Sequence, residues 1–121
     1  RVALPGVTKA IHEEYFSCDI FALSSVYESF GLVTIEAMQH KKAVIAFSDC
    51  PGTDEIITPD SDGILVDPKS DRAEAFALGL KKLMSDPKLR AQLGESAAHQ
   101  VARRFDLAEV FGAWESLLED A

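Results

Sequence analysis

The chain has 121 residues and a formal net charge of -8, enough length for one domain but not for two full cores. Its 47% apolar and 26% charged content is that of a folded protein and excludes disorder. No Lys/Arg block offsets the negative charge, which argues against nucleic acid as a partner; a phosphate would have to be met by helix ends and backbone.

The opening RVALPG reads as a very short strand around Val2, ended by Pro5-Gly6. A helix follows, with Ala10, Ile11, Tyr15 and Cys18 at helical spacing and Thr8 placed to cap it. Ile20 to Leu23 is a compact apolar run, too short for a helix and suited to a buried parallel strand. After a polar loop, SSVYES, the spacing predicts a helix from Gly31 with Leu32, Ile35, Ala37 and Met38 inward. Ala43 to Phe47 is a second buried strand, SDCPG a turn, TDEII one helical turn, TPDSDG another turn, and ILV a third buried strand stopped by Asp67-Pro68.

From there the pattern is helical to the end. Asp71 and Glu74 form a capping box for a helix presenting Ala73, Phe76, Ala77, Leu80 and Leu83 on one face. Asp86-Pro87 is a cap followed by proline at the first helical position, and Leu89, Leu93, Ala97 and Val101 repeat every four residues. Asp106 and Glu109 form a second capping box, stapled by Phe105 and Val110, for a last helix that buries Val110, Trp114, Leu117 and Leu118. Strand, helix, strand, helix, strand and then helices describe an α/β fold, a Rossmann-like parallel sheet with helices on both faces and a helical C-terminal end. Such sheets bind ligands beyond the carboxyl ends of their strands, and Glu28, Gly52, Glu55 and the Asp67–Asp71 crossing all follow strands.

Glu28 and Glu36 flank Phe30-Gly31 and the start of a helix. The free N–H groups of that first turn, with the positive end of the helix dipole behind them, form a seat for a phosphate or for sugar hydroxyls. A carboxylate at Glu36 can accept from two vicinal hydroxyls, as on a ribose, and Glu28 can reach another hydroxyl-rich group. Paired carboxylates also serve glycoside hydrolysis, and the spacing alone does not fix their separation. Equally, each glutamate is an ordinary surface residue, and Gly31 a residue that lets a helix pack closely on a sheet.

The stretch SSVYESFGLVTIEAM resembles the signature of the retaining GT-B glycosyltransferases of family 4 (group 1). These carry Glu, seven residues and Glu, with Phe-Gly after the first and Glu-Ala-Met at the second, here Glu28, Phe30, Gly31, Glu36, Ala37 and Met38. CDIFALSS, AVIAF, GTDEII, DGILVDP and the closing helices resemble the rest of the family's donor domain, so that nearly the whole chain is covered. The resemblance implies a fragment, residues 1–121 being the C-terminal portion of a nucleotide-sugar (donor) binding domain, a partial GT-B C-terminal domain. It implies transfer of a sugar from a nucleotide sugar to an acceptor with retention at the anomeric carbon, by the full-length parent rather than by the isolated piece. Glu36 would hold the ribose hydroxyls. Glu28, the catalytic candidate, would contact the donor sugar. Amides around Phe30, Gly31, Leu32 and Val33 would serve the sugar and diphosphate, with Ser24 and Ser25 beside them. No metal and no cofactor is implied; the nucleotide-diphosphate sugar is a substrate, a UDP-sugar before others. The acceptor, a sugar, lipid or protein, would be met through a missing N-terminal domain.

The sequence departs from the family at Lys41-Lys42-Ala43, where Gly-x-Pro is usual; this affects how the helix stops rather than its chemistry. The family's phosphate-gripping Arg and Lys would precede Arg1, and a first residue other than Met suits a chain excised from something longer. The full domain would order its strands three-two-one-four-five-six, so the strand near Ile20 becomes a free edge and a route to self-association. A non-catalytic α/β interaction module that kept the fold is the alternative.

The smaller signals are structural. His12, His40 and His99 have no metal-ligand spacing, Ser24 and Ser25 lack a His–Asp set, and Asp60 to Gly63 is a turn rather than a calcium loop. Trp114 reads as core or, through the resemblance, as an interdomain contact. Cys18 and Cys50 form no CxxC, and no signal peptide or bilayer-length apolar run is visible. These suit reduced thiols in a cytoplasmic protein, peripheral at a membrane through parts not present here.

Overall fold

The structure, a computed structural model, describes residues 2–69 and 71–119. Three parallel strands, β1 (Ile20–Ala22), β2 (Ala43–Phe47) and β3 (Ile64–Val66), lie side by side in sequence order. Phe21 pairs with Val44 and Phe47 with Val66. Helix α1 (Ile11–Ser17) precedes β1, α2 (Leu32–Gln39) joins β1 to β2, and α3 (Thr53–Ile56) joins β2 to β3. Three helices close the chain: α4 (Arg72–Ser85), α5 (Pro87–Arg104) and α6 (Leu107–Glu119). The expected α/β architecture is therefore observed.

Strand β2 has no polar residue and all five of its residues are buried, as a central parallel strand covered on both faces must be. Val44 and Ala46 point into one cluster with Tyr15, Ile35, Met38, Ile56 and Val101; Ile45 and Phe47 point into another with Leu83 and Leu93. Helix α5 serves both clusters, which ties the two faces together. Local chemistry starts the long helices. Asp71 accepts from the Glu74 N–H, Asp86 from Leu89 ahead of Pro87, and Asp106 from Ala108 and Glu109.

Several expectations are corrected. Strand β1, expected buried, is half-buried at Ile20 and Phe21 and exposed at Ala22, and Thr8 does not cap α1, whose N-cap is Ala10. The strand at Val2 does not form: residues 2–9 carry no strand, and Val2, Leu4 and Val7 are exposed. A strand needs a neighbour to pair with, no strand lies beside residues 2–9 among the described residues, and Pro5 offers no N–H to a ladder. Arg1 lies outside the described residues. Leu32, expected inward, is exposed, while Thr34 takes a buried place. In α4 the inward row is Ala75, Phe76, Gly79, Leu80 and Leu83. Ala73 and Ala77 are exposed and, with Ser24, Phe47, Phe76 and Leu80, line a groove of about 450 Å³. Strand β1 is an edge of the sheet, and among the described residues no strand pairs with its outer side.

The last correction is α6. Val110, Trp114, Leu117 and Leu118 were expected to be buried, and all are exposed; no residue of α6 is buried. Phe105, where the staple to Val110 was expected, packs edge-on against Phe30. An apolar stripe predicts burial only where an element lies opposite, and none lies opposite α6 among the described residues. No helix is long and apolar enough to cross a membrane among those residues.

Candidate functional site

The loops after β1 and β2 meet at one rim of the sheet. Leu23 N–H donates to the Ile45 carbonyl and Ser48 N–H to Val66, so all three strands end level with one another. The first loop (24–31) is seated on the second (48–52). Glu28 N–H donates to the Pro51 carbonyl at 3.3 Å, and Gly52, at φ 86°, lies directly under the turn. A Cβ on Gly52 would stand 2.6 Å from the Glu28 carbonyl oxygen and 3.2 Å from Phe30 Cα. Only glycine permits both that backbone conformation and that approach.

Gly31 is the N-cap of α2 with a left-handed backbone, φ 85° and ψ 38°. A Cβ there would press on Thr53 Oγ1 and Ile56 Cδ1, both at 3.2 Å. Gly31 therefore lets α2 start against α3, as the packing reading required. It also leaves the helix start without a side-chain cap. The Gly31 carbonyl accepts from both Thr34 and Ile35 N–H, and the Leu32 and Val33 amides are the open donors that every helix start carries.

The two glutamates are half-buried and separately held. Glu28 Oε1 accepts from Ser25 Oγ at 2.7 Å, a contact inside its own loop. Glu36, on the second turn of α2, accepts from Tyr15 Oη through Oε2 at 3.0 Å. The Tyr15 hydroxyl also lies 3.3 Å from the Val33 carbonyl. Burial raises the Tyr15 phenol to about 12, aided by its hydrogen bond to Glu36 and by the Glu36 charge, so it remains a proton donor at neutral pH. Its ring packs beside Phe21 and His40, and His40 Nδ1 lies 2.8 Å from the Glu36 carbonyl.

The sequence-predicted residues thus fall in one neighbourhood. Ser25, Glu28, Phe30, Gly31, Leu32, Val33 and Glu36 lie along one loop and the helix that it feeds. Ser24 is exposed and faces the groove over α4. Glu55 is exposed, and its carbonyl accepts from Arg104, which also binds the Ile56 carbonyl. Sequence reading placed Tyr15 inward but missed its role at Glu36. A tyrosine on an apolar stripe must find a partner for its hydroxyl, and that was the available signal. It also missed Arg72, whose guanidinium lies 4.0 Å over the Phe47 ring and pairs with Asp49 at 2.7 Å. No group of three or more His, Cys, Asp and Glu that could hold a metal occurs among the described residues.

A helix opened by glycine between two glutamates, at the carboxyl rim of a parallel sheet, accompanies a match over residues 2–100 to the family described as glycosyl transferases group 1. The chain belongs to the glycosyl transferase group 1 family. A D-inositol 3-phosphate glycosyltransferase from Corynebacterium glutamicum is 37% identical over 107 residues, 88% of this chain and 25% of that protein. Among solved structures, Anabaena HepE in complex with UDP and glucose matches 100% of this chain and 32% of its own, with a TM-score of 0.85 and 25% identity. The C-terminal domain of a group 1 glycosyl transferase (LpcC) from Francisella tularensis matches 88% of this chain and 53% of its own, with a TM-score of 0.70 and 32% identity. The chain spans less than a third of the length of the curated relatives it matches.

Proposed function

We propose that this group 1 chain is the C-terminal portion of a donor-binding domain, in a protein that transfers a sugar from a nucleotide sugar to an acceptor with retention. The observation that carries the reading is the placement of Glu28 and Glu36 on either side of an uncapped, glycine-opened helix start. Glu36 keeps Oε1 for the ribose hydroxyls, and Glu28 takes the donor sugar as the catalytic candidate. The Phe30, Gly31, Leu32 and Val33 amides, with Ser24 and Ser25 nearby, line the path between them. When the bond from the anomeric carbon to the phosphate oxygen breaks, its electron pair leaves on the diphosphate. The N-terminus of α2 then faces the growing charge and stabilises it without a metal.

Support comes from the neighbour's UDP and glucose and from the half-coverage of a C-terminal domain in the Francisella protein. A UDP-sugar is the first donor to try. The acceptor, a sugar, lipid or protein, is met by parts outside this chain, and the free β1 edge is where the rest of the sheet would join. The reading also places the protein in the cytoplasm, reaching a membrane only through those other parts.

The test is ligand-observed NMR of this chain with UDP-, GDP- and ADP-sugars against Glu36→Gln. A signal for one donor that fades in the variant supports the reading and names the base. Silence from every donor leaves an incomplete site or a non-catalytic module that kept the fold, and the same panel on the full-length parent separates them: silence there too overturns the reading.

A further inference from the structure

Glu36 is a mid-helix glutamate at a half-open surface, where an unheld side chain would sample several rotamers. It is not unheld. Tyr15, on a different helix, is 3% exposed and reaches across with its hydroxyl 3.0 Å from Oε2. The phenol has one proton and two acceptors in range, and the shorter contact is to the charged one, the stronger of the two. The ring is fixed in turn: Phe21 stands edge-on to it at 5.9 Å and His40 packs at 5.1 Å. His40 is anchored to the Glu36 carbonyl and lies 3.3 Å from His12 Nδ1. A rigid donor therefore occupies one carboxylate oxygen and leaves the other without a hydrogen-bond partner among the described residues.

We infer that Tyr15 is a positioning residue for Glu36, holding its carboxylate so that Oε1 accepts from the vicinal hydroxyls of a ribonucleoside diphosphate and discriminates against the 2′-deoxy form. The inference rests on the ribose reading of Glu36 and adds what orients it. Fixing the rotamer before the ligand arrives removes an ordering cost from binding. The charge-assisted bond from a buried phenol also keeps Oε2 from turning toward the ligand or water.

The experiment titrates UDP and 2′-deoxy-UDP into the wild-type chain, Tyr15→Phe and Glu36→Gln, with the ADP and GDP pairs run in parallel. The expected result is roughly tenfold weaker UDP binding in Tyr15→Phe with 2′-deoxy-UDP almost unchanged, so that the ribo/deoxy ratio collapses toward that of Glu36→Gln. A merely structural tyrosine would weaken both nucleotides equally, and that outcome overturns the inference. If Glu36→Gln loses discrimination while Tyr15→Phe keeps the wild-type ratio, Tyr15 has no such role and the Glu36 reading stands. If Glu36→Gln keeps the ratio, the ribose reading falls and the inference with it. If the isolated chain binds no nucleotide, the same titrations are made on the full-length parent, where an unchanged ribo/deoxy ratio in Tyr15→Phe overturns the inference. Should Tyr15→Phe fail to fold, the ¹³C shift of Tyr15 Cζ in the wild-type chain decides. It moves with UDP and not with 2′-deoxy-UDP if the inference holds, and responds alike to both if it does not.

Discussion

Gly52 supports Glu28 from below, with space for no atom between a Cβ and the Glu28 carbonyl oxygen. The contact joins the loop after β2 to the loop after β1, the one that carries the first glutamate. At φ 86° and ψ -51° the position is also closed to residues with a side chain. Gly52→Ala should therefore cost about 2–4 kcal/mol in urea unfolding, from backbone strain plus overpacking. The midpoint should fall with the m-value unchanged. A wild-type midpoint would mean that the two loops are not in contact.

Tyr15 makes a prediction about pH. Its folded-state value, about 12, stands above the ordinary 10 because burial and the Glu36 contact disfavour the phenolate. Between those values the unfolded chain gives up the proton while the folded one keeps it, so stability is complete below pH 10 and falls as pH rises toward 12. The loss should be on the order of 2 kcal/mol across that window, and Tyr15→Phe should remove this part of the slope. Denaturation curves of both proteins from pH 9 to 12 check it; parallel profiles would place the Tyr15 hydroxyl in water.

Two glycines in helices should respond oppositely to alanine. Gly94 of α5 lies against the Lys41 carbonyl, and a Cβ would meet that oxygen far inside contact distance. Gly112 of α6 has nothing within 4 Å. Gly94→Ala should destabilise by about 2–4 kcal/mol, the overlap outweighing a propensity gain of at most about 1 kcal/mol. Gly112→Ala meets no overlap, so it should raise helicity by circular dichroism and leave the global midpoint within about 0.5 kcal/mol of wild type. Equal effects at the two sites would contradict the packing of α5 on the end of α2.

The contrast between these helices explains what the sequence could disclose. Asp71, Asp86 and Asp106 announce helix starts because a cap acts within three residues, and Ala43 to Phe47 announces a central strand by having nothing polar. Glu28, Gly31 and Glu36 were legible as a group because they lie within nine residues of each other on one loop and helix. What could not be read was partnership. Val2 suits a strand, but a strand needs a ladder. The Tyr15–Glu36 bond joins residues 21 apart, and only the tyrosine's need for a partner hinted at it. The stripe on α6 says that something should cover it and is silent about what.

That silence leads to the last prediction. Trp114, the one tryptophan of the chain, is 60% exposed beside Val110 and Leu117 on a helix with no buried residue. Had the stripe closed over the core, Trp114 would be a major packing residue, and Trp114→Ala would cost about 3–5 kcal/mol. On an uncovered helix the same change should stay within about 0.5 kcal/mol. Trp114 fluorescence should be red-shifted and fully open to iodide, with little change when α5 and the sheet are unfolded. A blue-shifted, shielded tryptophan at low concentration would show α6 folded back onto its own chain. Shielding that appears only as concentration rises would instead mean that a second copy covers the stripe.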